Sequence, residues 1–194
     1  LGDLKEKVQL AALETTGLLG NREALPQLHE ALERARNTRI RRAALTAIAM
    51  LPDPQNRPLY TRYLADRDDG LRAAAAEGLA RLQAAADLPL LEKAFNDEPG
   101  MSPRLSLAFA LVMLGKTEVS EFSPLQYLLN TLNSSAWRGV ARAFLIELSR
   151  ERKVRRALEE ATKQGTREEK MQLAQILAHS GDAGSIACLE ALAY

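Results

Sequence analysis

The side chains best suited to chemistry are few and far apart in this sequence. Its two histidines are His29 and His179, and its one cysteine is Cys188. The histidines lie near opposite ends of the chain, so we do not expect them to form a catalytic pair. A lone thiol can form neither an internal disulfide nor a zinc cluster. We predict that His29 is a solvated surface residue and that Cys188 is a small, buried core residue.

No sequence motif of a known reaction centre is present. The chain contains neither a glycine-rich phosphate loop nor a Gly-x-Ser-x-Gly turn. Its adjacent acids, Glu159 with Glu160 and Glu168 with Glu169, lie on or beside predicted helices, where charged residues usually face solvent. We therefore expect no catalytic residue, no metal site and no cofactor.

The composition is that of a folded protein with balanced charge. Of 194 residues, 46% are hydrophobic and 26% are charged, and 26 basic against 25 acidic side chains give a net charge of +1. This balance gives no overall attraction to nucleic acid or to an anionic membrane. The longest apolar stretch, residues 105–114, is too short to span a bilayer. We expect no membrane insertion in this segment; the localisation is undetermined, with the cytoplasm as the default.

Two local basic patches interrupt this balance. The first contains Arg34, Arg36, Arg39, Arg41 and Arg42 against Glu33. The second contains Arg138, Arg142, Arg150, Arg152, Lys153, Arg155 and Arg156 against Glu147 and Glu151. Both could attract phosphates, but they have almost none of the aromatic residues on which single-stranded nucleic acids stack. Nucleic acid is therefore the less favoured partner.

The chain repeats itself at an interval of about 32 residues. Apolar or small residues recur at relative positions 0, 4, 8 and 11, counted from residues 8, 40, 71, 103 and 137, and more weakly from residue 169, where the first position is Glu169. These spacings place all four positions on one stripe of an α-helix. In the first repeat the stripe consists of Val8, Ala12, Thr16 and Leu19, which we expect to pack into the core.

A second amphipathic helix follows the first in each repeat. Pro26, Pro58 and Pro89 recur at the same interval and suit the first turn of a helix, where the missing N–H has no partner. Ser123 is likewise the expected N-cap of a helix. We predict one array over residues 1–194, with repeats at approximately 3–36, 37–67, 68–99, 100–133, 134–165 and 166–194.

The third repeat carries a resemblance to a known family. Residues 68–82, DDGLRAAAAEGLARL, and residues 87–95, DLPLLEKAF, resemble a HEAT repeat of the short bacterial type. The resemblance is also strong in the second repeat and extends more weakly over nearly the whole chain. It implies an all-α fold, namely a right-handed α-α superhelix (solenoid) of about six helical hairpins whose second helices line the concave side. It also implies protein binding without a shared catalytic centre.

One basic column runs through the repeats, directly after the first stripe position. It consists of Arg41, Arg72, Arg104, Arg138 and Lys170. The resemblance implies a structural ladder in which these residues bond to acidic or carbonyl groups of adjacent inter-repeat turns. The alternative is a basic track for phosphate or an acidic ligand.

The leading functional hypothesis is a non-catalytic scaffold that binds another protein, or another domain of the same chain, along the concave surface. The residues chosen for this surface are Glu30, Glu33, Arg62, Lys93, Asn96, Asn130, Arg156 and Lys163. The alternative is a nucleic-acid-binding protein similar to the HEAT-like DNA glycosylases, to which Trp137 beside Arg138 points; we expect Trp137 to pack in the core instead. Because neither end carries an obvious polar cap, we also expect the chain to belong to a longer protein, or else to dimerise through an end.

Overall fold

The computed structural model describes residues 2–193, and the side chains of residues 4–192. Residues 2–193 form twelve α-helices and four short 3₁₀ helices, with no β-strand among them. The α-helices, α1 to α12 in chain order, are Gly2–Leu18, Leu25–Arg34, Thr38–Ala49, Arg57–Tyr63, Asp69–Leu82, Leu88–Asp97, Met101–Met113, Pro124–Thr131, Arg138–Leu148, Arg152–Gln164, Arg167–Ser180 and Ile186–Ala193. The predicted all-α class is confirmed.

The helices alternate as first and second members of a pair, and each predicted repeat range holds one pair. The 3₁₀ helices Arg22–Ala24, Pro54–Asn56, Ala85–Asp87 and Ala183–Ser185 each lead directly into a second helix. The chain forms two compact units, Leu1–Ala110 (unit 1) and Leu111–Tyr194 (unit 2), with the boundary inside α7.

Polar side chains and prolines fix where the helices begin. Asn37 caps α3 by accepting a hydrogen bond from the Arg39 N–H at 2.8 Å, and Asp68 caps α5 by accepting from the Leu71 N–H at 3.0 Å. Ser123 caps α8 as predicted. The three repeating prolines all lie in the first turns of second helices, α2, α4 and α6, which confirms the sequence prediction.

The core of unit 1 is built by its first helices. Helix α3 packs between α1 and α5, while α2 packs on α3 and α4 packs on α5. Helix α5 is buried almost all round, and its run of four alanines, 73–76, is buried throughout. Small side chains let neighbouring helices approach closely, so this helix reaches close packing without large residues.

One close contact joins the second helix of the second repeat to α5. The ring of Tyr60 is fully buried against Gly78, where a Cβ would lie 2.5 Å from a ring carbon. The Tyr60 hydroxyl donates to the Ile48 carbonyl at 3.1 Å, so the buried phenol is satisfied. Position 78 is therefore a glycine because a larger residue would overlap the Tyr60 ring.

Unit 2 is organised around α11. Helices α9, α10 and α12 pack on α11, and α8 packs on α9. The core residues Leu145, Leu158, Leu173 and Ile176 are each at most 1% exposed. These are positions of the predicted helical stripes and their neighbours, so the apolar periodicity identified the core of this unit.

The predicted burial of the first-repeat stripe is wrong. Val8 is 62% exposed and Leu19 is 76% exposed, whereas Leu13 and Gly17 on another side of α1 are buried. Gly17 lies against Ala47 and Met50 of α3. Helix α1 therefore uses that side to pack on α3, and its apolar stripe faces solvent.

We predict that Gly78→Ala lowers the free energy of unfolding of unit 1 by about 1–3 kcal/mol, because the added methyl would overlap the Tyr60 ring. Urea denaturation followed by circular dichroism measures this. The matched control is Gly139→Ala on α9, where a Cβ meets nothing within 4 Å. The control should leave stability unchanged or raise it by up to about 1 kcal/mol. Equal losses in the two variants would contradict the Tyr60 contact.

Candidate functional site

Two sets of residues are candidates for function: basic side chains that reach acidic groups in inter-repeat turns, and exposed polar side chains on the second helices. The first set defines how neighbouring repeats are joined. The second set defines what surface they present.

Arg72 makes the most complete of the inter-repeat contacts. Its Nε and Nη2 donate to the two carboxylate oxygens of Glu98, both at 2.8 Å, in the turn after α6. Its Nη1 donates to the Asp66 carbonyl at 2.9 Å, in the turn before α5. Arg72 therefore ties together the turns on both sides of its own repeat, using the planar fork of donors that only arginine offers.

This cluster is buried enough to change the ionisation of its members. Glu98 is 8% exposed, and burial opposes its ionisation. The hydrogen bonds from Arg72 and from the Gly100 N–H offset that effect, so the pKa of Glu98 is lowered. The same carboxylate raises the pKa of Arg72. The pair is therefore held in its charged form.

In the second repeat the inter-repeat contact is made by Arg42 and not by the predicted Arg41. Arg42 donates to both carboxylate oxygens of Asp68, at 2.7 and 2.5 Å, and its hydrogen bonds lower the pKa of that carboxyl. Arg41 lies over the Tyr63 ring at 5.9 Å from the centroid. Helix α3 therefore directs Arg42, and not Arg41, toward the turn that contains Asp68. The alignment of basic residues in the repeats did not reveal this shift by one residue.

The remaining members of the predicted ladder have different surroundings. Arg104 lies over the Phe95 ring at 5.1 Å from the centroid. Arg138 forms an ion pair with Glu168 in the first turn of α11, in unit 2. Lys170 is half-buried on α11. The basic column therefore combines ion pairing with packing on aromatic rings.

Two further inter-repeat ion pairs were missed by the sequence analysis. Arg57, at the start of α4, pairs with the fully buried carboxylate of Asp87, just before α6. Arg155 of α10 pairs with Asp182 at 2.7 Å and also donates to the Ser149 carbonyl. In all these inter-repeat pairs the acid follows the base by 26 to 30 residues. A search of the sequence for bases and acids at this separation could have identified both missed pairs.

All eight residues chosen for the partner surface are exposed. In unit 1 they lie on α2, α4 and α6: Glu30, Glu33, Arg62, Lys93 and Asn96. In unit 2 they lie on α8 and α10: Asn130, Arg156 and Lys163. Some already have neighbours of their own. Glu30 pairs with Arg34 at 2.6 Å, and Lys163 pairs with Glu160 at 2.7 Å, both within one helix.

The side chains with the most reactive groups are the two histidines and the cysteine. His29 lies in unit 1 and is half-buried, whereas His179 and Cys188 lie in unit 2. Cys188 is half-buried and not fully buried as predicted, with its Sγ 3.1 Å from the Thr162 hydroxyl. Trp137 is also only half-buried, because it occupies the N-cap of α9 and not the interior of the helix.

No group of three or more metal-binding side chains converges within the described residues. Among the helices of residues 2–193, none combines the length and hydrophobicity that crossing a bilayer requires.

Ion pairing reduces the two basic patches. In the second patch, Arg138 and Arg155 form inter-repeat ion pairs, and Arg142 donates to the Gln175 side chain. In the first patch, Arg34 and Arg42 are paired with carboxylates. Four of the twelve basic side chains in the two patches, Arg34, Arg42, Arg138 and Arg155, are therefore paired with carboxylates within the chain.

We predict that Arg72→Met lowers the free energy of unfolding of unit 1 by about 3 kcal/mol, because it leaves the buried Glu98 carboxylate without its ion-pair partner. Trp137 is the only tryptophan and lies in unit 2, so its fluorescence follows the unfolding of that unit. In urea denaturation the variant should therefore unfold at lower urea than the unmodified chain by circular dichroism, while the transition followed by tryptophan fluorescence changes little. The matched control is Lys163→Met. It breaks a pair whose side chains are 65% and 71% exposed and should cost about 0.5 kcal/mol or less. Equal losses would contradict the burial argument.

The lowered pKa of Glu98 predicts a dependence of stability on pH. A carboxyl whose pKa is depressed in the folded state contributes stability above its unfolded value of about 4.3, and that contribution is lost as the pH falls through the folded value. The difference in unfolding free energy between the unmodified chain and Glu98→Gln should therefore shrink below about pH 4. Denaturation at a series of pH values measures it. A constant difference would show that Glu98 does not titrate as described.

Comparison with known proteins identifies the repeat. The family model described as HEAT repeats matches residues 1–59 and 28–112, which takes in α1 to α6 and most of α7. No curated protein matches the chain. The matched residues include the paired helices, the Arg72–Glu98 contact and the Tyr60–Gly78 packing described above. Because the model covers more than half of the sequence, this protein belongs to the family of HEAT repeats.

Proposed function

We propose that this protein is a non-catalytic scaffold that binds another protein, or another domain of the same chain, on the exposed polar faces of its second helices. The observation that carries this proposal is the contrast between helices within unit 1. Helix α5 exposes a single residue, Asp69, whereas its partner α6 exposes Pro89, Leu90, Lys93, Asn96 and Asp97. The second helices therefore supply surface, while α5 supplies core.

The chemistry of this surface favours a selective protein partner over a general polyanion. In unit 1 the chosen residues combine two acids, Glu30 and Glu33, with two bases, Arg62 and Lys93. Mixed signs suit a complementary protein surface and give no uniform field for phosphates. In unit 2 the exposed bases of α10, Arg156 and Lys163, stand beside Glu160. HEAT repeats generally act by binding proteins, which agrees with this assignment.

Two features support the absence of catalysis. The side chains most able to act as nucleophile or general base, the histidines and the cysteine, are spread over the two units. The lowered pKa values described above belong to Asp68 and Glu98, whose ion pairs join consecutive repeats. Perturbed ionisation at a catalytic centre would be expected in a cleft with converging reactive groups.

The test is affinity capture from cell extract with two charge-reversed variants and quantitative mass spectrometry. The first variant reverses second-helix residues: Glu30→Lys, Arg62→Glu, Lys93→Glu and Arg156→Glu. The matched control reverses exposed residues at the start of first helices: Arg39→Glu and Arg167→Glu. We expect specific partners to fall about tenfold or more with the first variant and to be retained by the control, because only the first removes charge complementarity.

A salt titration of binding to duplex DNA completes the test. We expect weak binding at any salt concentration, since the protein is nearly neutral. Tight binding that weakens steeply with salt would favour the nucleic-acid alternative and overturn the proposal. Partners that bind equally to both charge-reversed variants would show that the second-helix surface is not the binding face.

A further inference from the structure

Unit 2 contains a small pocket beside its second helices, which we call the Glu169 pocket. It lies between α8, the end of α10 and the start of α11, which belong to the fourth, fifth and sixth repeats. Its volume is about 290 Å³. This volume is at the lower end of the range for ligand sites, so the pocket suits a single side chain and not a large molecule.

The buried part of the Glu169 pocket is apolar. Leu129 of α8 and Leu173 of α11 are buried and line it together with the half-buried Ala161 of α10. Val119, in the loop before α8, adds an apolar side chain that is 45% exposed. An aliphatic chain that entered the pocket would therefore leave water for contact with apolar atoms.

Three carboxamide side chains also line the pocket: Gln126, Asn130 and Gln164. Gln126 Nε2 donates to Asn130 Oδ1 at 2.7 Å, which leaves the Gln126 oxygen available as an acceptor. The Gln164 side chain is exposed and forms no hydrogen bond within the described part of the chain. The pocket therefore offers hydrogen-bonding groups that the fold does not use.

The carboxylate of Glu169 is the charged group of the pocket. Its Oε1 accepts from Asn133 Nδ2 and its Oε2 accepts from the Thr166 N–H, both at 2.7 Å. These hydrogen bonds fix its position, and each oxygen keeps a second acceptor site. Among the residues that line the pocket none is a lysine, an arginine or a histidine. The lining therefore carries one negative charge with no base to balance it.

Neighbouring acids in unit 2 do have basic partners within the chain. Glu168 pairs with Arg138, and Glu160 pairs with Lys163 at 2.7 Å. Lys163 is next to Gln164 in the sequence, but its ion pair holds it outside the lining of the pocket. Glu169 differs from these acids, because a base from another molecule would have to supply its counter-charge.

Gly165 keeps the side of the carboxylate open. Its φ of −65° and ψ of 162° are accessible to any residue, so the backbone does not require a glycine here. A Cβ at this position would lie 3.1 Å from Glu169 Oε2 and 3.2 Å from the Ala161 carbonyl oxygen. A side chain at position 165 would therefore crowd the carboxylate where it lines the pocket.

These groups together match a basic side chain. Lysine and arginine combine a long aliphatic chain with a charged end that donates hydrogen bonds and accepts none. The aliphatic chain would lie on Leu129 and Leu173, while the charged end would reach Glu169 and the carboxamide oxygens. Glu169 would repel an acidic side chain, and a purely apolar side chain would leave the carboxylate without a partner.

We propose that the Glu169 pocket binds a lysine or arginine side chain of the partner polypeptide. The inference rests on the proposed function, because α8 and α10 are second helices and Asn130 belongs to the surface assigned to the partner. It adds the chemistry that the partner presents at this point, namely an exposed basic residue.

Peptide titration followed by NMR tests the site. The probes are acetylated and amidated pentapeptides, Ala-Ala-X-Ala-Ala, in which X is lysine, norleucine or glutamate. The lysine peptide should shift the side-chain amide signals of Gln126, Asn130 and Gln164 in the isotope-labelled full chain, with a Kd of about 1 mM. Norleucine keeps the aliphatic chain without the charge, so its peptide should bind about tenfold more weakly. The glutamate peptide should not bind.

Two variants test the role of the carboxylate. Glu169→Gln removes the charge but keeps a residue that can complete the capping box with Thr166, and it should weaken binding of the lysine peptide about tenfold. Gln164→Lys, at an exposed position, should weaken it by about the same factor, because the new ammonium competes for Glu169. The matched control, Glu190→Gln, removes an exposed acid of α12 and should bind like the unmodified chain. Circular dichroism verifies that all variants are folded.

Equal binding of the lysine and norleucine peptides would overturn the proposal. Shifts confined to amide signals outside the pocket, equal affinities of the two glutamine variants, or no binding of the lysine peptide at about 10 mM would also overturn it. The capture experiment distinguishes this failure from failure of the proposed function. Partners that are lost with the charge-reversed second helices but retained by Glu169→Gln would remove only the basic side chain, whereas partners retained by both would remove the proposed function.

Discussion

The structure depends on close packing between helices of successive repeats, because a single pair of helices has too little apolar surface to form a core of its own. In unit 1 this packing is achieved with small residues. The buried alanines of α5 and the Gly78 position let α3, α4 and α5 approach until the Tyr60 ring fills the remaining space. The Tyr60 hydroxyl, which is buried with the ring, donates to the Ile48 carbonyl of α3. This arrangement of α3 and α4 therefore satisfies the buried hydroxyl.

The turns between repeats carry the polar counterpart of this packing. A turn that is buried against its neighbours must satisfy its own backbone groups, and Glu98 and Asp68 do so by capping N–H groups while they accept from Arg72 and Arg42. Burying such pairs costs desolvation energy, so they contribute less to net stability than to the choice of one register between repeats. Basic residues that recur at about the interval of the repeat, Arg42, Arg72 and Arg138, take part in such pairs.

The same packing determines which surfaces remain exposed within each unit. The two histidines and the one cysteine stand at separate points along the chain. Within unit 1 the surface left to solvent includes polar residues of the second helices and, on α1, apolar residues of the kind that is buried in the next repeat. Both surfaces are suited to contacts with other polypeptides.

The sequence alone determined the helical class, the length of the repeat, the helix starts at Pro26, Pro58 and Pro89, and the family, because these depend on local spacing and backbone chemistry. Tertiary structure decided which side of each helix meets a neighbour. It placed Arg42 and not Arg41 in the ion pair with Asp68, and it left Val8 exposed while the equivalent Ile40 is buried. Periodicity gives the apolar side of a helix, but a residue is buried only where another element packs against it, and that depends on contacts between residues distant in the chain.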